Sequence, residues 1–185
     1  MQIKDLCTIR VGYSFRSRVV DDPDGVTKIV QPKNISSDGT INFNGSVPLK
    51  TQVIPRSPLK KGEILVLNKG RFAAAVFNMP GNETWVTTAS VMVFTLTTQK
   101  VIPEYISLYL NSTKGQRKLS SLQEFSSIPF VKRKNIEKME IPVPSISKQK
   151  KLVEMNNAIS KYAELTNKKS QILRNLMNSE LEISP

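Results

Sequence analysis

The sequence predicts an α+β (mixed α/β) domain followed by one long C-terminal coiled-coil-forming helix. Short apolar runs separated by turn-forming residues indicate strands and loops up to about residue 141. Pro142 and Pro144 then exclude a helix or a central strand, because proline lacks a backbone donor and fixes φ. After them the chain is free of proline and glycine over residues 148–178. We therefore expect a domain at 1–145 and a helix at 146–185.

The composition points to a polyanionic partner. The formal net charge is +12, and the residues through Pro144 carry most of it, with 20 basic against 11 acidic side chains. Such an excess favours nucleic acid, because neutralised phosphates release counterions. A merely basic surface is the plain alternative. An anionic membrane surface is a less favoured partner, because no lysine-rich amphipathic helix lies near a terminus.

Histidine is absent and Cys7 is the single cysteine, which removes the usual general base and a Cys/His zinc site. The sequence also lacks a phosphate-binding loop, a signal-peptide pattern and a bilayer-spanning apolar run. We therefore expect no catalytic residue, no metal, no cofactor and no membrane association. The cytoplasm is the expected location.

The first third of the predicted domain is rich in loops. Residues 3–9 indicate a short strand or helical turn, and residues 12–18 a loop of glycine, aromatics and arginines. The acidic stretch 21–25 is a solvated turn rather than a calcium loop, because the closing glutamate is missing. Residues 28–35 predict a strand, and residues 37–39 a hairpin turn.

Two stronger strands follow a proline-rich connection at 47–58. Residues 63–67 are almost entirely apolar, which predicts a buried strand that exits through the glycine and two cations of residues 68–72. After an extended stretch at 73–77, residues 85–96 alternate between two apolar faces and predict one continuous strand.

Helices dominate the rest of the domain. Pro103 suits a first helical turn, and Ile106, Tyr109 and Leu110 have helical spacing, so we assign them to the core. A second helix is predicted at 114–122. Residues 128–131 then predict a strand, which is followed by three consecutive cations.

The candidate nucleic-acid contacts are cations in predicted turns and strand exits. A guanidinium in such a place can fork onto guanine or a phosphate, while neighbouring aromatics stack. The candidates are Arg16, Arg18, Lys69, Arg71, Lys132, Arg133 and Lys134.

The C-terminal helix carries an apolar seam that predicts a partner helix. We expect Ser147 to cap the helix, and its apolar residues recur at steps of three and four. Packing on its own domain would bury only part of so long a helix, so an external partner is favoured. The seam consists of Leu152, Met155, Ile159, Tyr162, Leu165, Ile172 and Leu176.

Several stretches, in order, resemble the DNA-specificity (S) subunits of type I restriction-modification enzymes. The junction IPVP at 141–144, followed by Gln149 and Leu152, is the most specific of them. The others are GYSFRS at 12–17, QPKNI at 31–35 with DGTI at 38–41, KGEIL at 61–65 with Lys69-Gly70, and PEYI at 103–106 with LNS at 110–112.

The resemblance covers essentially the whole chain and implies a target-recognition domain with one spacer helix. Family members usually carry two of each and read a divided DNA site while holding methyltransferase (M) subunits, so this chain resembles half a subunit. The implied function is a non-catalytic specificity subunit that binds double-stranded DNA. Its helix would pair with a second copy, another S subunit or a methyltransferase. A stand-alone interaction module with non-specific nucleic-acid binding is the alternative, and RNA binding is weaker.

Overall fold

The computed structural model describes residues 1–43, 47–124 and 129–183. Its centre is a four-stranded antiparallel sheet in the order β1-β7-β4-β5. The strands are β1 (Cys7–Val11), β4 (Ile64–Leu67), β5 (Ala74–Val76) and β7 (Val91–Leu96). A smaller sheet contains β2 (Thr27–Val30), which pairs with β3 (Lys50–Thr51) antiparallel and with β6 (Thr84–Thr87) parallel.

The four-stranded sheet is the middle of three layers. Ile64 and Val66 of β4 face the core shared with the helices, whereas Leu65 and Leu67 face the core shared with the smaller sheet. All four side chains are buried, because both faces of the strand are covered. This arrangement explains why residues 64–67 are a continuous apolar run, and it confirms the buried strand predicted at 63–67.

Three helices cover one face of the central sheet: α1 (Pro103–Asn111), α2 (Thr113–Ser121) and α3 (Arg133–Glu137). The core positions predicted for α1 are confirmed, since Ile106, Tyr109 and Leu110 are buried. The N-terminus closes the domain, because the Ile3 amide donates to Met139 O and Ile141 N–H to Met1 O. These hydrogen bonds join the N-terminus to the segment just before Pro142 and Pro144.

The last helix, α4 (Ile146–Ile183), spans 38 residues, or about 57 Å. Its predicted cap at Ser147 is wrong. Ser145 Oγ instead accepts from the Lys148 amide at 3.4 Å, and Ser145 O accepts from the Gln149 amide. From residue 157 to residue 181 every side chain is exposed. The domain therefore buries none of the described side chains in this part of the helix.

Three predicted strands differ from the structure. Residues 85–96 form β6 and β7 in separate sheets, because the chain turns at residues 88–90. The strand predicted at 28–35 ends at Val30, because Pro32 begins a 3₁₀ turn. Of the strand predicted at 128–131, Ile128 lies outside the described residues, and Phe130 makes only isolated bridges with Lys69 and Glu124.

A buried ion pair connects β1 to the start of β4. Arg10 Nη1 and Nη2 donate to the two carboxylate oxygens of Glu63 at 2.5 and 2.9 Å. Glu63 is only 4% exposed, and it also accepts from Thr95 Oγ1 and the Lys60 amide. Burial raises the pKa of this carboxyl, but the hydrogen bonds from Arg10, Lys60 and Thr95 and the charge of Arg10 outweigh it. The pKa of Glu63 therefore lies below its ordinary value.

Candidate nucleic-acid interface

Several loops gather at one edge of the central sheet. Strands β1 and β4 both run antiparallel to β7, so they are parallel to each other and end where β7 begins. Their following loops, residues 12–18 and 68–72, therefore leave the sheet at the same edge. We call this the basic edge and define it as residues 12–18, 68–72, 88–90 and 129–134.

Backbone hydrogen bonds hold these loops together. Gly12 donates to Val91 O, and Asn68 donates to Ser90 O. Val131 N–H and Gly70 N–H connect the loop after β4 to residues 129–131 through Asn68 O and Pro129 O. A Cβ at Gly12 would lie 2.2 Å from Thr88 O, so only glycine permits this approach. The parts of the basic edge next to the strands are therefore held in place by the sheet.

The basic edge includes all seven cations that the sequence selected. Arg16, Arg18, Lys69 and Lys134 are exposed and have no hydrogen-bond or ion-pair partner among the described residues. Lys132 is paired with Glu124 at 2.6 Å and Arg133 with Glu137 at 2.6 Å. These two are less available to an anion than the four unpaired cations.

Two of the predicted placements are wrong. Arg133 and Lys134 were expected in a turn or strand exit, but they form the first turn of α3. The turn begins because Lys132 is extended, with φ −71° and ψ 143°, and because the Asn135 and Ile136 amides then donate to Lys132 O. Lys132 itself precedes the helix, as expected.

Arg71 connects the basic edge to the 3₁₀ turn that follows β2. Its Nη2 donates to Ile35 O at 2.5 Å and to Pro32 O at 3.4 Å. Gly70 has φ +72°, which turns the chain so that Arg71 reaches across. The guanidinium is thus fixed by one nitrogen, while the residue itself stays exposed.

We expect Arg71→Ala to weaken binding to the preferred duplex by about 1–3 kcal/mol and to relax selectivity at one base pair. The contact with Ile35 O orients the guanidinium, and a fork onto guanine requires Nη2 to exchange its longer contact with Pro32 O, at 3.4 Å, for the base. Arg71→Lys should not restore selectivity. Titration of single-base variants tests this, since a phosphate contact would weaken all duplexes alike and a purely structural arginine would change neither property.

Two buried polar residues of the basic edge were not selected from the sequence. Asn68 Oδ1 and Thr88 Oγ1 are buried with no hydrogen-bond partner among the described residues. Tyr13 and Phe15 were noted only as loop aromatics, and they form an edge-to-face pair with ring centroids 4.8 Å apart. No local signal identifies Asn68 and Thr88, because their polar atoms become buried only when β4, β6 and β7 assemble.

The predicted seam on α4 is a second surface that stays uncovered. Met155, Ile159 and Tyr162 are 53%, 67% and 74% exposed. The residues of α4 that are buried or half-buried beyond its first turn are Gln149, Val153 and Asn156, which recur on another face. The seam therefore points away from the domain. Its remaining members, Leu152, Leu165, Ile172 and Leu176, are also exposed.

Among the described residues, no cluster of carboxylates and thiols has the arrangement of a metal site. None of the helices in that part of the chain combines the length and hydrophobicity that a bilayer span requires. The Cys7 thiol is buried, which with the nearby charge of Glu137 raises its pKa to about 12. It is therefore a packing residue rather than a nucleophile.

Together these features define a three-layer mixed α/β domain with a basic edge built from loops and an exposed helical arm. A family profile described as the type I restriction modification DNA specificity domain matches residues 1–175. The chain belongs to this family. A comparison with curated proteins found no match.

Solved structures show the same fold. The S subunit of a type I restriction-modification system from M. genitalium aligns over 97% of this chain with a TM-score of 0.61 and 15% identity. The HsdS subunit from Thermoanaerobacter tengcongensis aligns over 91% with a TM-score of 0.66 and 14% identity. A chain from work on complex assembly and conformational transition of the type I R-M system aligns over 97%, with a TM-score of 0.70 and 15% identity.

This chain spans less than half of each of these proteins, namely 43%, 39% and 42% of their lengths. The alignments include the long helix as well as the domain, since they cover nearly all of this chain. The predicted resemblance to S subunits is confirmed at the level of family and fold.

Proposed function

We propose that this chain is a non-catalytic, sequence-specific DNA-recognition subunit of a type I restriction-modification complex that reads one half of a divided site. The observation that carries the proposal is the basic edge, where loops after separate strands and the first turn of α3 bring four cations to one side without acidic partners among the described residues, namely Arg16, Arg18, Lys69 and Lys134. Loops pinned to a sheet hold base-reading side chains without an ordering cost. Family membership supports DNA rather than RNA.

We propose that residues 1–145 form the target-recognition unit and residues 146–185 the spacer. The exposed seam of α4 would pair with a second copy of this chain or with another S subunit. An antiparallel two-fold pair places two domains at opposite ends, so the bound site would be palindromic and interrupted. Methyltransferase subunits would dock on this assembly in the cytoplasm, and they and a nuclease would supply the catalysis.

Selection from a random duplex pool, with and without the methyltransferase subunit, tests the proposal. We expect enrichment of one short motif, repeated with inverted orientation at a fixed separation when the chain is paired. Equal recovery of all sequences in both conditions would favour the other candidate, an interaction module with only non-specific nucleic-acid binding. Its support is the exposed seam alone.

Binding to duplex DNA should weaken steeply with salt. If the four unpaired cations each contact one phosphate, log K should fall with log salt by about 0.9 per contact, or roughly 100-fold between 50 and 200 mM. Lys134→Ala should reduce the slope by about one contact. Lys100→Ala is the matched control, because Lys100 follows the opposite end of β7. An affinity that does not change with salt concentration would contradict the proposed contacts.

A further inference from the structure

Gln149 is the only buried residue among the described residues of α4, with none of its surface exposed. A fully buried carboxamide on a helix that is otherwise almost entirely exposed needs a structural reason. Without hydrogen-bond partners it would destabilise the fold, because its polar atoms would have given up their hydrogen bonds to water. In the structure, the carboxamide of Gln149 has hydrogen-bond partners for both its nitrogen and its oxygen.

Three backbone groups of the domain saturate the Gln149 side chain. Nε2 donates to Lys100 O and to Pro144 O, both at 2.8 Å, and Oε1 accepts from the Ile102 amide at 3.0 Å. Ile102 is the residue before α1, and Pro144 lies two residues before α4. One side chain therefore ties the beginning of α4 to the beginning of α1.

Only a carboxamide meets this arrangement. Two carbonyls require a donor and one amide requires an acceptor, so glutamate loses the donors and methionine loses all three bonds. Beyond Gln149, the partly buried residues in the described part of α4 are Val153 and Asn156. The orientation of the remaining helix thus depends on contacts within its first three turns.

We propose that Gln149 is a positioning residue that fixes the direction in which α4 leaves the domain, and thereby sets the separation between the two DNA half-sites read by paired chains. The second clause rests on the proposed function. A tilt of about 10° at Gln149 moves a residue five turns further on, about 27 Å away, by about 5 Å. That displacement exceeds one base-pair step of about 3.4 Å.

The first test measures the helix direction in the free protein. Spin labels on Ser120→Cys in α2 and Asn167→Cys in α4 report the distance between domain and arm, because both positions are exposed. Asn167 lies five turns after Gln149, on the same face and away from the seam. Cys7 does not interfere, since burial suppresses its thiolate. Excess unlabelled chain restricts the measurement to distances within one chain.

We expect one narrow distance in the wild type and a distribution broadened by about 5 Å in Gln149→Met, as the lever arm predicts. Lys150→Met is the matched control and should keep the narrow distance, because Lys150 is exposed. Fluorescence of the buried Trp85 checks that each domain is folded. If Gln149→Met does not fold, Gln149→Glu replaces it with the same criteria. A broad wild-type distribution, or an equally narrow variant, would overturn the proposal.

The second test uses DNA with two half-sites at different separations. The wild type should select one separation, while Gln149→Met should accept neighbouring separations with unchanged affinity for a single half-site. A variant that keeps the wild-type separation would overturn the second clause. Failure of both proteins to select any sequence would refute the proposed function instead, while the spin-label distances would still decide whether Gln149 fixes the helix direction.

Discussion

Ile172→Glu is expected to convert a self-paired chain into a monomer. In a two-fold pair each substitution occurs twice, and each isoleucine removed from the seam forfeits about 1.5–3 kcal/mol of burial. A loss of about 3–6 kcal/mol raises the dissociation constant of the pair by about 150- to 20,000-fold. Sedimentation equilibrium of the full chain over a range of concentrations measures it.

Gln171→Glu is the matched control for this experiment. It adds the same charge at the neighbouring exposed position, which lies off the seam by about 100° of helical rotation. We expect the control to associate like the wild type. If Ile172→Glu also associates normally, the seam is not the interface. If the wild type is monomeric at micromolar concentration, self-pairing is wrong and the helix binds a different protein.

Arg10→Met should destabilise the domain by about 3–5 kcal/mol at neutral pH, because it leaves the Glu63 carboxylate buried without its counterion. Urea unfolding followed by Trp85 fluorescence gives this free energy of unfolding. Arg10→Met/Glu63→Gln is the control and should recover most of the loss, since a neutral amide still accepts hydrogen bonds. A loss under about 1 kcal/mol, the range of surface ion pairs, would contradict the buried pair.

The stability deficit of the same variant should depend on pH. In the wild type the pKa of Glu63 is lowered, so its stabilising contribution is present above its ordinary value of 4.5 and is lost as the pH falls below that value. Without Arg10, burial is opposed by the hydrogen bonds from Lys60 and Thr95 alone, so the pKa of Glu63 should be higher than in the wild type. The stability deficit of Arg10→Met should therefore narrow as the pH falls towards and through the ordinary value of 4.5.

Features encoded by neighbouring residues could be predicted from the sequence. The proline junction, the buried strand at 63–67 and the helices α1 and α2 depend on periodicity and on the rigid φ of proline, which act within a few residues. The exposed seam of α4 has the same origin. Its spacing by threes and fours appears in the sequence before any partner is known.

Features that depend on distant residues were missed. Residues 85–96 alternate like one strand, and only their pairing with two different sheets shows that the chain turns at residues 88–90. Ser145 and Ser147 are equally suitable caps by sequence. Ser145 is the cap in the structure because the hydrogen bonds of Gln149 to residues 100–102 determine where the helix begins.

By itself the sequence determined the fold class, the helical arm and the set of cations, because these follow from local periodicity and composition. The tertiary structure alone decided how the cations are arranged and which of them are paired. It brought loops from β1 and β4 to one edge, withdrew Lys132 and Arg133 into ion pairs, and attached Arg71 to Ile35 O. The physical reason is that strand order and charge pairing join residues far apart in the chain, which no local pattern encodes.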